Sequence, residues 1–402
     1  MGETAGSETP APLTGGRLAL LASLAALGVL ATNIMLPAFP QMAASLAVTP
    51  REMAWTLSSF FLVFAVGQLA IGPLSDAYGR APFVIGGLVA FLAGSLVCGL
   101  ATALPVLIAG RMIQALGACA TSVLSRAIAR DSYDGVELTR AIALMMIVMA
   151  AAPGFSPALG TALTAAFGWR STFVLSSAAA VTIGAAYVLS LGETLPRKRR
   201  RTASPGAVGR TYAGLAVDPR FIFPGLSVSL VIGCLYAFFG AAPAILMGAM
   251  GVSAAGLSVF FAATVVVVFG AGLSTGRLIR RWGAPRVGLA GVLIALAGGL
   301  WLLLQAGSTS PAPFMAAVTL FLGGMGLINP IGTAIALEPF GDRAGLASAL
   351  LGFLQMSLAA TGTALIGALP IGAASAYAWI VFGGCGLAAL AFVPVLAAAR
   401  RA

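Results

Sequence analysis

Long uninterrupted runs of apolar residues, parted by brief polar breaks, fill nearly the whole of this 402-residue chain. Twelve can be read, at 17–37, 53–74, 81–102, 104–127, 139–165, 169–191, 221–244, 254–277, 285–305, 312–336, 344–369 and 371–398. Each meets the roughly 20 apolar residues that a helix needs to cross a hydrocarbon layer. None alternates with a period of two, and all are too long for barrel strands. The fold class expected is therefore an all-α polytopic membrane protein of twelve transmembrane helices. Residues 1–16, rich in Gly, Ser, Thr, Pro and Glu, have no apolar face and read as a disordered tail. The first run is too long for a signal-peptide core and lacks a basic start near the terminus, so it is expected to remain as span 1. Gly6 stands where a myristoylation signal needs Ser or Thr.

The longest polar break, 192–219, divides the spans six and six, giving halves at 17–191 and 220–402. The halves echo one another. Gly79-Arg80-Ala81-Pro82 leads into span 3 and Gly283-Ala284-Pro285-Arg286 into span 9; Leu36-Pro37-Ala38 near the end of span 1 has a counterpart in Ala242-Pro243-Ala244 of span 7. Two pseudo-symmetric six-helix halves related by an axis along the membrane normal, with a binding site between them near mid-bilayer, are a recurring transporter plan.

Composition sharpens this. With 60% hydrophobic and 8% charged residues, no soluble domain of any size remains. That weighs against a receptor or scaffold, which would need a sensing or docking region. The net charge is +11, carried by arginines apart from Lys198. They gather on one side: Arg17, Arg80, Arg126, Arg130, Arg140, the 197–201 run, Arg210, Arg220, Arg277, Arg280, Arg281, Arg286, Arg343, Arg400 and Arg401, against Arg51 and Arg170 on the other. This asymmetry predicts both termini in the cytoplasm and explains the charge without nucleic acid. The 197–201 run is expected to lie against anionic headgroups, each charge adding about 1 kcal/mol, with a soluble partner as the alternative. Cys98, Cys119, Cys234 and Cys385 fall inside spans, as apolar fillers with no disulfides expected. Histidine is absent, which removes His-based triads, most zinc sites and any His proton relay. No enzyme activity, cofactor or metal is expected, and the chain is expected to act as a monomer.

Between spans 2 and 3, Gly72-Pro73-Leu74-Ser75-Asp76-Ala77-Tyr78-Gly79-Arg80 forms a short polar hinge, with Gly72 and Pro73 expected to close one helix, Gly79 to permit a left-handed turn, and Asp76 and Arg80 to sit at the water boundary. This hinge resembles the signature loop of the major facilitator superfamily, and further segments agree. Arg111, Gln114 and Gly117, at three-residue steps, are similar to its span-4 pattern, and Pro153-Gly154-Phe155-Ser156-Pro157-Ala158-Leu159-Gly160 to its span-5 antiporter motif. Trp169-Arg170 with Phe173, Glu193-Thr194-Leu195-Pro196, Thr32-Asn33-Ile34-Met35-Leu36-Pro37-Ala38, and Ala344-Gly345-Leu346-Ala347-Ser348-Ala349-Leu350 with Gly352 and Gln355 resemble drug exporters of the bicyclomycin and chloramphenicol resistance (Bcr/CflA) type. The resemblance implies efflux of small amphipathic drugs, commonly in exchange for protons. It implies a gating role for Gly72, Asp76, Gly79 and Arg80, with Asp76 closing the inner gate against the start of span 11 near Arg343-Ala344-Gly345, and a coupling role for Arg111, Gln114 and Gly117.

The residues admit readings of their own. Asp76 is placed to accept N–H groups from a helix start or to pair with Arg80, unless the hinge is a plain interfacial turn. Arg111, two turns into span 4, costs about 2.5–3.5 kcal/mol unless partnered, and Gln114 shares its face; the alternative is snorkelling outward. Pro153, Gly154, Pro157 and Gly160 loosen span 5 and let a neighbour approach closely. Met145, Met146 and Met149 with Phe155, and Tyr236, Phe238 and Phe239, form either a soft substrate wall or a packed or lipid-facing surface. Met35 is a further substrate-binding candidate. Asn33, Gln68, Asn329 and Gln355, the most deeply set polar groups, are candidates to hydrogen-bond a ligand or a neighbouring helix. Trp55 and Trp169 are expected as interface anchors.

One departure from the group stands out: Asn33 occupies the span-1 position where an aspartate is typical. No acidic residue falls in the middle third of any span. Since Asn and Arg do not titrate in this range, Asp76 or Glu52 is left as proton carrier, if protons are coupled at all. The expectation is a rocking exporter of amphipathic antimicrobials in the inner membrane; the runner-up is a facilitator for an endogenous sugar, amino acid or nucleoside without proton coupling.

Overall fold

A computed structural model describes residues 14–200 and 204–399, and among them all regular structure is helical. The helices are α1 (Gly15–Asn33), α2 (Phe39–Ser45), α3 (Ala54–Tyr78), α4 (Arg80–Leu100), α5 (Leu104–Ser132), α6 (Gly135–Phe167), α7 (Arg170–Ser190), α8 (Pro205–Val217), α9 (Pro219–Ala242), α10 (Ala254–Trp282), α11 (Ala284–Leu304), α12 (Pro311–Leu337), α13 (Ala344–Ala368) and α14 (Ala373–Ala399). Eleven apolar helical stretches are long enough to cross a membrane. One, Pro311–Ala368, has 58 residues, about 87 Å of helix, and holds α12 and α13 joined through 338–343, where Phe340 leaves helical geometry at φ −120° and ψ 35°. It therefore crosses twice, which makes twelve crossings. The tail residues 1–13, Arg201, Arg400 and Arg401 lie outside the described residues.

The echo between the halves is structural. Every major contact has a partner six crossings away: α1 packs on α6 as α9 on α13, α4 on α5 as α11 on α12, and α4 on α7 as α11 on α14. The halves meet along two seams, α3 with α13 and α6 with α10, themselves a symmetry-related pair. At matching junctions Gly79 (φ 105°) and Gly283 (φ 79°) hold left-handed backbone that a side chain would strain. The prolines of the other echo also do the same work. α1 passes into a tight turn at Leu36–Ala38, and α9 into wide turns at Pro243–Ala249. Small residues bring backbones together without any hydrophobic drive between helices. A Cβ on Gly117 of α5 would lie 2.3 Å from the Gly87 carbonyl oxygen of α4, and one on Gly324 of α12 would lie 2.4 Å from that of Gly291 on α11.

Three expectations are corrected. Gly72 and Pro73 do not close α3, which runs on to Tyr78 with Pro73 inside it. Proline has no N–H to give the carbonyl four residues back. That carbonyl, Leu69, instead accepts a 3.0 Å hydrogen bond from the Tyr212 hydroxyl. Tyr212 belongs to α8, a helix inside the stretch read as a polar linker. There Ser204 caps the Ala207 N–H and Pro205 opens the first turn, so Ser204-Pro205-Gly206, inside the polar stretch, is a helix start signal. Burial pushes the Tyr212 hydroxyl up to about 12. Trp169 is not an interface anchor either: it is buried, with its backbone N–H donating to Gln41 Oε1 at 2.9 Å and the Arg170 guanidinium 4.2 Å above its ring. All four cysteines are buried free thiols.

Candidate functional site: a vestibule between the halves

A cavity of about 420 Å³ lies between the halves. α6 contributes Met146, Met149, Ala150 and Pro153; α9 contributes Tyr236, Phe238 and Phe239; α12 contributes Met325, Asn329 and Thr333; α13 contributes Ser348, Gly352 and Gln355. A side chamber of about 170 Å³ runs between α1, α3 and α5 past Phe60, Phe61 and Phe64, sharing Gln68, Arg126, Met149, Tyr236 and Gln355. The wall is mainly apolar, with aromatic and thioether patches, and Gln68, Arg126, Thr264, Asn329, Thr333, Ser348 and Gln355 give it polar groups.

One end of this space is shut. There the Arg51 Nε donates to the Ile366 carbonyl at 2.7 Å, and the Ser58 hydroxyl donates to that of Ala360 at 2.9 Å. The Thr161 and Ser258 hydroxyls, on α6 and α10, are 3.0 Å apart. Toward the arginine-rich end no side-chain hydrogen bond or ion pair joins the two halves among the described residues. The lining reaches Leu337 and Ser348, and a Cβ on Gly72 or on Gly345 would have nothing within 4 Å.

Of the expected substrate contacts, Met149, Tyr236, Phe239, Asn329 and Gln355 line the cavity, while Asn33, Met35, Met145 and Phe155 do not. Helical phase explains the α6 misses. Positions 146, 149, 150 and 153 share a face, so the wall is Met146; Met145 turns into the core, and Phe155 lies half exposed on the bundle's exterior. Asn33 and Met35 are buried in the shut end; the Asn33 amide N–H donates to the Val29 carbonyl at 2.9 Å and its Oδ1 has no partner among the described residues. Gln68 packs its amide where a Cβ of Gly352 would be, across the α3–α13 seam.

The hinge is built differently from its expected use. Arg80 is buried, not at the water boundary: its Nε donates to Asp131 Oδ2 at 2.8 Å, and its Nη1 to the Ser75 hydroxyl at 2.7 Å and to Asp76 Oδ1 at 2.5 Å. Asp76 is 49% exposed, and among the described residues its one ion pair is with Arg80, none reaching 343–345. The Arg80 N–H donates to Glu193 Oε1 at 2.9 Å, so this carboxylate faces the start of α4, where negative charge is favoured. Asp131 and Glu193 thus complete a clasp joining α3, α4, α5 and the end of α7. The charge next to Arg130 and the Glu-Thr-Leu-Pro segment were the available signals.

Arg111 is fully buried and does not snorkel. It pairs with Gln114 Oε1, donates to the Ala31 carbonyl at 3.4 Å, and sits 4.3 Å over the Phe60 ring. Gln114 in turn donates to the Ser95 hydroxyl at 2.7 Å. The Nε and Nη2 of Arg111 find no partner among the described residues. In α6, Gly154 faces Val265 of α10, and Gly160 abuts the Ile34 carbonyl so closely that a Cβ would overlap it. Pro157 is buried beside them. Glu52 is an exposed turn cap whose carboxyl is held below its ordinary value, first by the Thr49 backbone N–H and then by its hydroxyl.

Residues 21–363 match the sequence model of the Major Facilitator Superfamily. The chain belongs to that superfamily. Its relatives include the MFS-type transporter YdgK of Bacillus subtilis, 31% identical over 88% of this chain and 90% of its own length. A chloramphenicol resistance protein of Pseudomonas aeruginosa is 29% identical (87% and 84% covered), as is multidrug resistance protein D of Escherichia coli (84% and 85%). Among solved structures, a D-xylose–proton symporter superposes with a TM-score of 0.73 at 14% identity, over 94% of this chain and 96% of that one. At that identity the likeness speaks for the fold: the superfamily's twelve helices in two pseudo-symmetric halves. As a member, the chain is a multi-pass membrane transporter.

Proposed function

We propose that this transporter exports small amphipathic antimicrobials, phenicol- or bicyclomycin-like, across the inner membrane by rocking its halves about the vestibule. The observation that carries the reading is the composition of the cavity wall. Met146, Met149, Met325, Tyr236, Phe238 and Phe239 give deformable and flat apolar surface, against which varied shapes can pack. The same wall carries Gln68, Asn329, Thr333, Ser348 and Gln355, polar side chains that would orient a ligand between the apolar surfaces. The relatives' resistance names point the same way.

In this reading the arginine-rich end is cytoplasmic, as are both termini, and the open mouth takes substrate from inside. The polar bonds at Arg51, Ser58 and Thr161 form an outer seal that breaks in each cycle. Asp76 meets the start of α13 when the mouth closes, the 197–201 run lies on anionic headgroups, and the monomer is the working unit. Proton antiport follows the resemblance, and Asp76 is the carboxylate best placed to serve it. Glu52 is the poorer candidate, because its hydrogen bonds hold it ionised. The endogenous-metabolite facilitator remains the second reading, favoured by the lack of a carboxylate on the cavity wall. Growth inhibition by a drug panel including phenicols, with and without expression of the chain, is the test. Raised resistance to at least one amphipathic drug is expected, and no shift for any drug at full expression removes the efflux reading.

A further inference from the structure

The vestibule holds one charge that the motifs do not account for. Arg126, three turns beyond Gln114 on α5, lines both the main cavity and its side chamber. Among the described residues its side chain makes no hydrogen bond and no ion pair. None of the residues lining either chamber is acidic. The nearest carboxylate along its own helix, Asp131, is taken by Arg80, and the next charge on its face, one turn on, is the like-charged Arg130. The positive-inside pattern explains an arginine at a helix end in contact with water and headgroups. It does not explain a guanidinium aimed into an aromatic vestibule.

We infer that Arg126 is the anchor for an acidic group on the transported ligand, a carboxylate or sulfonate carried on a flat aromatic body. This rests on the reading of the vestibule as the transport site and adds acidic aromatic compounds to its substrate range. A guanidinium is the side chain best suited to the task, since its planar fork meets an oxyanion with two parallel N–H bonds and is more weakly hydrated than an ammonium. Gln68 and Gln355 line the same two chambers, and their amides make no hydrogen bond to the protein among the described residues. They supply further donors beside the cation. Phe61, Phe64, Tyr236 and Met149 supply the apolar wall for the attached ring.

The arrangement also makes closure depend on the ligand's charge. Shutting the cytoplasmic mouth over an empty vestibule would enclose an uncompensated cation among aromatic and methionine side chains, which is costly. A bound oxyanion cancels that charge, so the loaded carrier closes more readily than the empty one.

The test compares 2-naphthoate with its uncharged isostere 2-naphthamide, by equilibrium dialysis against the purified full chain in neutral detergent. Wild type is expected to bind the acid about 30-fold more tightly than the amide, the scale set by losing one partner of a desolvated charge pair. Arg126→Gln should bring that ratio to about one while leaving amide binding in place, and Arg126→Lys should keep part of it. Equal affinities in wild type, no binding of the acid at all, or an acid preference that survives Arg126→Gln would each overturn the inference. Should Arg126→Gln fail to fold, the wild-type ratio and the lysine variant decide. Resistance to neutral phenicols is read separately in cells. Failure here leaves the efflux reading standing, and loss of that resistance with an intact acid preference removes the efflux reading alone.

Discussion

Removing the Arg80 guanidinium tests whether the hinge is a clasp within one half before it is a gate between two. Arg80→Met strips three acceptors at once: Asp131 at 2.8 Å, the Ser75 hydroxyl at 2.7 Å and Asp76 at 2.5 Å. They do not weigh equally. The Asp131 side chain is 17% exposed and would be left as an enclosed carboxylate without its cation, for which breaking a buried pair costs about 3 kcal/mol. Asp76 is 49% exposed, and its contact is an i,i+4 pair worth about 0.3–0.5 kcal/mol. Chemical unfolding of the purified protein in detergent should therefore rank Arg80→Met as severe, Asp131→Asn as nearly as severe, and Asp76→Asn as close to wild type. A double-mutant cycle should give an Arg80–Asp131 coupling several times the Arg80–Asp76 coupling. If Asp76→Asn destabilises as much as Asp131→Asn, or Arg80→Met costs under about 1 kcal/mol, the clasp is misassigned. Export is expected to invert the order for Asp76→Asn: the protein holds its level and loses transport, because Asp76 is free to meet α13 in the closed state.

Two further outcomes follow from named contacts. Tyr212→Phe deprives the Leu69 carbonyl of its hydroxyl donor and should cost about 1–2 kcal/mol; in a Pro73→Ala background, where residue 73 regains an N–H for that carbonyl, unfolding should show most of this cost gone, and an unchanged cost would refute the pairing. Glu52 has a folded pKa below its unfolded one, so the stability of its turn is complete above the ordinary glutamate value and is lost only as pH falls through the lower folded value. Glu52→Gln should leave the pH profile of export between about 5.5 and 8 unchanged, since the glutamate value of about 4.3 lies below that window; a displaced profile would make Glu52 a proton carrier after all.

The helices were legible because a bilayer imposes one length and one solvent on every span. The repeat was legible because left-handed glycines and helix-perturbing prolines recur at matching places, as at Gly79 and Gly283. What stayed hidden depended on rotation and on distant partners. Met145 and Phe155 share a helix with the wall residue Met149, but a turn of one or two positions carries them off the cavity face. α8 was hidden inside 192–219, a stretch read as one polar break although Ser204 and Pro205 cap and open a helix there. Asp131 and Glu193 gained their roles only through folding, which brings positions 51 and 113 residues away onto Arg80. Arg126 counted in sequence as one more cytoplasmic charge. Nothing along the chain distinguishes it from Arg130, which is exposed one turn later.

Alternating access requires the parted ends of α3 and α13 to meet in each cycle, and Gly72 and Gly345 stand on those ends with open space around both. Cysteines at these two positions, with the four native thiols buried, allow a crosslink that welds the mouth shut. Export in vesicles should stop on oxidation and return on reduction. Export that continues unchanged through a fully formed crosslink would contradict the account.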